Sequence, residues 1–235
     1  MKKNSKVLNH KFWLDLIMPN RCPVCGKVIV WNELVCNKCE SNLPFLDKPF
    51  SVSEKIHNNS MNNACAVFEY KENAVKGIYN LKTRKGLNFA EYASKYLVKY
   101  LSENDIVSTI DCVAFVPMTK SKRRLRGYNQ AERFAKFMAR KLDKPLMNDL
   151  LLHISDSSEQ HTLDYNQRQQ NAETVFKSAL NHSDIKGKSV LLCDDVITTG
   201  ATMNKCAELL KSMGANSVYG TAICSTNLRK MSPKE

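Results

Sequence analysis

Asp194 and Asp195 stand side by side where an apolar run, Val190-Leu191-Leu192-Cys193, gives way to Val196-Ile197-Thr198-Thr199-Gly200-Ala201-Thr202. A run of this kind bounded by turn chemistry suits a parallel strand covered on both faces, and ligands of such sheets sit at the carboxyl ends of the strands. The turn offers backbone N–H groups and threonine hydroxyls at a helix start, where the dipole favours an anion such as phosphate. The two carboxylates supply acceptors for sugar hydroxyls and outer partners for Mg2+. Phosphate at one end and a diol at the other describe a ribose 5-phosphate.

Two further groups could do chemistry. Cys22-Pro23-Val24-Cys25 and Cys36-Asn37-Lys38-Cys39 are C-x-x-C pairs ten residues apart, with Gly26 at the tight turn. Each pair presents two thiolates about a metal radius apart, and the two together complete a tetrahedral S4 shell for structural Zn2+. An Fe–S cluster or a redox dithiol is the alternative. The third group runs from Lys120 to Arg126 (Lys-Ser-Lys-Arg-Arg-Leu-Arg), five cations followed by Gly127. A charge run is most often solvated surface. Here it is contiguous, next to a glycine, and reads as a loop: a mobile cationic flap over a polyphosphate.

The elements that must position these groups follow from periodicity. Strands are expected at Asn63–Tyr70, Cys112–Met118, Leu150–Ile154, Ser189–Val196 and Ser217–Cys224. Helices are expected at Glu72–Leu81, Phe89–Leu101, Gln130–Leu142 and Ala201–Met213, the last closed by Gly214. A basic turn, Lys82–Gly86, follows the first of them, and the helix from Gln130 turns Ala131, Phe134, Ala135 and Met138 to the core. Ser155–Gln170 reads as a long polar loop with Gln160, Arg168 and the nearby Asn171 as binding groups. His10–Met18 reads as a short amphipathic helix. The fold class is α/β: a mainly parallel sheet with flanking helices, preceded by a small four-cysteine zinc ribbon. Residues 1–45 would hold the amphipathic helix and ribbon, 46–62 a connector, and 63–235 the α/β domain.

With 235 residues the chain can bury one full core plus a small module. A net charge of +12 suggests polyanionic partners without choosing among nucleic acid, membrane surface and phosphorylated small molecule. No run approaches the roughly 18 apolar residues a membrane span needs, and the N-terminus lacks the form of a secretory signal. Nine cysteines in such a chain point to metal or free thiols, consistent with a cytoplasmic protein.

The stretch from Leu191 to Thr202 resembles the phosphoribosyl diphosphate motif of type I phosphoribosyltransferases. The four-cysteine ribbon, Leu81-Lys82, Val116-Pro117, Lys122-Arg-Arg-Leu-Arg-Gly-Tyr-Asn-Gln-Ala131, then Gln160, Leu163, Arg168, Asn171, Phe176 and the acidic turn come in the order seen in the ComF family. His153 and Ser157 stand where relatives more often show arginine and threonine. The resemblance covers nearly the whole chain. It implies a phosphoribosyltransferase-like domain that binds phosphoribosyl diphosphate with Mg2+ and a role in uptake of single-stranded DNA during natural transformation, beside other DNA-uptake proteins at the inner face of the membrane, without stable insertion. On that basis Asp194 and Asp195 take the catalytic position on the ribose hydroxyls. Thr198, Thr199, Gly200, Ala201 and Thr202 hold the 5-phosphate, and Lys82, Pro117, Met118, Lys120 and Arg126 face the pyrophosphate.

Three functions stay open at this level. The chain could transfer phosphoribose to an unknown acceptor. It could be a binding protein whose cationic loop tracks DNA while Tyr128 or the N-terminal aromatics stack on bases. Or it could sense phosphoribosyl diphosphate without turnover.

Overall fold

A computed structural model of the chain describes residues 19–47, 49, 60–83, 85–153, 176–178 and 185–226. The expected helix at His10–Met18 and the polar loop with Gln160, Arg168 and Asn171 lie outside the described residues.

In chain order the elements are α1 (Asn37–Glu40), β1 (Asn63–Glu69), α2 (Glu72–Lys82), α3 (Leu87–Glu103), α4 (Ile106–Thr109), β2 (Cys112–Phe115), α5 (Lys120–Arg126), α6 (Gln130–Leu142), β3 (Leu151–His153), β4 (Phe176–Ser178), β5 (Ser189–Ile197), α7 (Ala201–Ser212) and β6 (Ser217–Ser225). Four strands form a parallel sheet in the order β1-β6-β5-β2. The pair β3-β4 is antiparallel.

Successive residues of the sheet feed two cores, as the pleat requires. Cys65, Val67, Val113, Leu191 and Cys193 face one layer with Phe89, Leu97, Phe134 and Met138 of α3 and α6. Ala64, Ala66, Ala114, Val190 and Leu192 face the other, with Met203, Cys206 and Leu210 of α7 and with Leu151 and Phe176. Both sheet edges are covered, which removes templates for unwanted pairing. Leu46 N donates to Val67 O along the free side of β1, and Met147 N donates to Val113 O along β2.

Two local expectations need correction. Lys120–Arg126 is a helix, not a flap. Thr119 caps it by accepting from Lys122 N at 3.2 Å, lysine and arginine are good helix formers, and Gly127 ends it at φ 76°, a left-handed conformation that glycine takes without strain. Four of the five cations, all but Lys120, lie beyond its first residue, and Arg123, Arg124 and Arg126 sit in the last turn, where the dipole favours positive charge. The strand expected over Cys112–Met118 stops at Phe115. Val116 N still reaches Cys193 O, but Pro117 has no N–H to continue a ladder.

The four-cysteine ribbon is not a separate bead on a string. Its Val24, Ile29, Val35 and Leu43 belong to the same buried cluster as Phe68, Phe89 and Tyr92. Phe45 packs edge-on to Phe68 at 4.9 Å and against Tyr96 at 4.8 Å. Glu40 Oε1 accepts from Tyr92 Oη at 2.7 Å and from Tyr96 Oη at 3.2 Å. Among the described residues, no helix is long and apolar enough to cross a membrane.

Candidate functional site

The four ribbon sulfurs converge because two tight turns aim them at one point. The first knuckle is closed by Gly26 N donating to Cys22 O and Cys22 N to Lys27 O; the second is the turn into α1, where Cys39 N donates to Cys36 O. All four ligand atoms of Cys22, Cys25, Cys36 and Cys39 lie within 4.8 Å of one another. The Cys25–Cys36 sulfur separation is 3.8 Å. A tetrahedron with Zn–S bonds of about 2.3 Å has edges of about 3.8 Å, so the cradle fits the ion and is far too wide for a disulfide. Burial raises the Cys22 thiol, but the backbone N–H groups of Cys36, Cys25 and Val24 outweigh it and draw the thiol down to about 7. Four thiolates complete the shell and leave no position for a substrate.

The second site lies where β2 and β5 run side by side. After β2 the chain leaves toward α6, which packs on one face of the sheet; after β5 it leaves toward α7, on the other face. Parting of adjacent strand ends opens a crevice, the usual ligand position of an α/β sheet. Here the crevice is a cleft of about 300 Å3. Asp194 and Asp195 enter from β5, Thr202 from the first turn of α7, Lys82 from the end of α2, Pro117 and Met118 from the segment after β2, and Arg126 from α5.

Charges of opposite sign therefore meet across one space. Lys82 Nζ lies 3.8 Å from Asp195 Oδ2. Burial, and then the neighbouring Asp195 carboxylate, push Asp194 well above the usual carboxylate range, with Lys82 opposing. Asp194 Oδ1 also accepts from Asp195 N at 2.7 Å. Arg126 Nη1 donates to Gln130 Oε1 at 3.1 Å. Gln130 Nε2 is left without a hydrogen-bond partner among the described residues although the side chain is buried. An orphaned buried donor in a polar cleft is matched to an acceptor that arrives with a ligand or water.

Not every expected residue lines this space. Thr198, Thr199 and Ala201 are exposed on the turn beside it, and Gly200 is buried at the head of α7 without a side-chain cap there. The turn itself is held by Thr199 Oγ1 accepting from Ala201 N, and by Thr226, whose N–H donates to Ile197 O. Lys120 is exposed outside the cleft. In its place Lys122 lines the wall, with Thr119, Asn129, Gln130 and His153. Once the segment is a helix, Lys122 and Arg126 share a face four residues apart. Tyr128 is not a stacking platform: it is buried, its hydroxyl donates to Leu81 O, and Arg133 sits over its ring at 5.8 Å. A larger groove of about 1250 Å3 follows the ribbon, lined by Cys25, Cys36 and Cys39 and by lysines and glutamates mixed in sign.

Fold and sites together define a zinc-ribbon protein with a phosphoribosyltransferase-like α/β domain. Residues 129–235 match the phosphoribosyl transferase domain, and residues 13–51 match the double zinc ribbon domain. Both matches agree with the resemblance to the ComF family. The chain is 24% identical to the DNA utilization protein YhgH of Escherichia coli over 208 residues, 87% of this chain and 84% of that one. It is 33% identical to competence protein F of Haemophilus influenzae over 103 residues, which are 44% of this chain and less than half, 45%, of that relative's length. A stretch of 39 residues, 17% of this chain and 14% of the other, is 54% identical to the ribose-phosphate pyrophosphokinase of Thermococcus kodakarensis.

Proposed function

We propose that this protein binds phosphoribosyl diphosphate with Mg2+ in the cleft at Asp194–Asp195 and acts in the uptake or handling of single-stranded DNA. The observation that carries the ligand reading is the cleft's division: two carboxylates on one wall, Lys82, Lys122 and Arg126 on the others. In this reading Asp194 and Asp195 accept hydrogen bonds from the ribose hydroxyls. The turn Thr198-Thr199-Gly200-Ala201-Thr202 offers its N–H groups and hydroxyls to the 5-phosphate. Lys82, Lys122 and Arg126 face the pyrophosphate beside Pro117 and Met118, and Gln130 Nε2 finds its acceptor there. Bound Mg2+ would neutralise the diphosphate, and the paired carboxylates are oxygen donors of the kind that ion takes, directly or through water.

The DNA reading is supported by the names of two relatives, competence protein F and a DNA utilization protein, and by the net charge of +12. Titration calorimetry with phosphoribosyl diphosphate and Mg2+ tests the first part; absence of heat with the intact protein refutes it. Competition with a labelled single-stranded oligonucleotide tests the second and distinguishes one shared surface from two. Release of pyrophosphate on incubation with candidate acceptors would move the reading from ligand binding to phosphoribosyl transfer.

A further inference from the structure

Three consecutive residues at the end of α2 tie together three distant parts of the chain. Asn80 Nδ2 donates to Pro23 O at 2.8 Å, and Pro23 lies inside the first zinc knuckle, between Cys22 and Cys25. The Leu81 carbonyl accepts from the hydroxyl of Tyr128, the residue after the glycine that ends the cationic helix α5. Lys82 points its ammonium at Asp195, 3.8 Å away, and lines the cleft.

This turn has little slack. A Cβ on Gly86 would sit 2.6 Å from Leu81 N, so the chain entering α3 lies directly against the helix end. Last-turn carbonyls of a helix have no partners within it, and helix ends fray unless something outside holds them. Tyr128 holds one carbonyl. Asn80 holds the turn from the other side, to the loop between Cys22 and Cys25, two of the four sulfurs that would hold Zn2+. Lys82 itself is a point charge on a flexible four-carbon stem. Its backbone anchor sets the space the ammonium can reach, and the contact with Asp195 sets where in that space it rests.

We infer that Asn80 is a positioning residue of the ligand cleft: through its bond to Pro23 the zinc knuckle fixes the end of α2, and with it Lys82, so that ribbon and cleft are energetically coupled. This rests on the reading of the cleft as an anion site for phosphoribosyl diphosphate. Coupling between two binding sites is reciprocal, so the ligand should also tighten the binding of zinc.

The test uses the zinc-loaded full chain, with Asn80→Ala and the near-isosteric Asn80→Asp, which keeps the volume and removes the donor. Three quantities are measured: zinc per chain, affinity for phosphoribosyl diphosphate with Mg2+ by calorimetry, and, without ligand, the rate at which an amine-acylating reagent labels Lys82, read by peptide mass spectrometry. Both variants should keep wild-type zinc, bind about threefold to tenfold more weakly, as expected for one lost hydrogen bond, and label faster at Lys82. In the wild type the ligand should shift the equilibrium partition of zinc against a competing chelator toward the protein, and in the variants much less. Wild-type affinity and wild-type Lys82 labelling in both variants overturn the inference. So does a loss confined to Asn80→Ala, which would assign the effect to volume, and so does loss of zinc from both, which would assign Asn80 to the ribbon alone. If the wild type gives no heat with phosphoribosyl diphosphate, the ligand reading falls by itself, and Lys82 labelling still decides whether Asn80 positions that residue.

Discussion

On the proposed function, replacing Lys120 and Arg124 with glutamine should weaken single-stranded DNA binding and leave phosphoribosyl diphosphate binding unchanged. The helix α5 carries five cations on different faces. Lys122 and Arg126 line the cleft, and Arg123 Nη2 is paired with Glu132 at 3.1 Å. Lys120 and Arg124, four residues apart, are exposed, do not line the cleft, and have no ion pair among the described residues. They are the two cations of this helix best placed to meet a strand of phosphates. Each single-strand phosphate neutralised contributes about 0.7 to the slope of log affinity against log salt, so losing two contacts should flatten the slope by about 1.4. Over a rise from about 50 to 200 mM salt, the wild type should then lose about sevenfold more affinity than the double variant. Fluorescence anisotropy with a labelled oligothymidylate across that range measures the slope, and calorimetry with phosphoribosyl diphosphate serves as the control. An unchanged slope would remove DNA from this face of α5. A matching fall in phosphoribosyl diphosphate affinity would show that the division of the helix into two faces is wrong.

The remaining expectations concern the acidic turn and the ribbon. On the proposed reading, Asp194→Asn and Asp195→Asn should each weaken phosphoribosyl diphosphate binding about tenfold or more, since each replaces a carboxyl oxygen facing the ribose hydroxyls with an amide NH2; equal heats for variant and wild type would contradict the assignment. A thiol reagent should find no fast-reacting cysteine in the zinc-loaded protein and at most the four ribbon cysteines after chelation, because the other five are buried in the α/β domain and burial pushes Cys65 up to about 12 and Cys112 up to about 11. A fifth fast thiol in the folded, chelated protein would break that account. Glu40→Ala removes the acceptor shared by Tyr92 and Tyr96 and should cost about 2 kcal/mol, a fall of about 4–8 °C in Tm for a chain of this size. A melt followed by circular dichroism that moves by under about 1 °C would show that the contact between ribbon and α3 contributes little.

Legibility in the sequence followed the range of the interaction. The helix Gln130–Leu142 has the bounds its apolar spacing gives, because Ala131, Phe134, Ala135 and Met138 carry a period that needs no partner to be read. The zinc ligands were legible for the same reason, since C-x-x-C places two sulfurs by local geometry alone. The segment from Lys120 to Arg126 was not, because five cations in seven residues leave no apolar period. The signals that mark it as a helix are its ends, a threonine that caps and a glycine that stops. Thr119, Lys122, Asn129, Gln130 and His153 could not be gathered from spacing, because their cleft is assembled from β2, α5, α6 and β3, elements joined only by long-range packing. The bond from Asn80 to Pro23 spans 57 residues and leaves no trace in either neighbourhood.

The shared core under the ribbon changes what the metal means for the cell. Val24, Ile29, Val35 and Leu43 share one buried cluster with Phe68, Phe89 and Tyr92, so a chain that gave up its zinc would loosen part of the core of the α/β domain and not merely an appendage. Apolar surface exposed by such loosening invites proteases and aggregation. Metal supply would then bear on how long the protein survives in the cell.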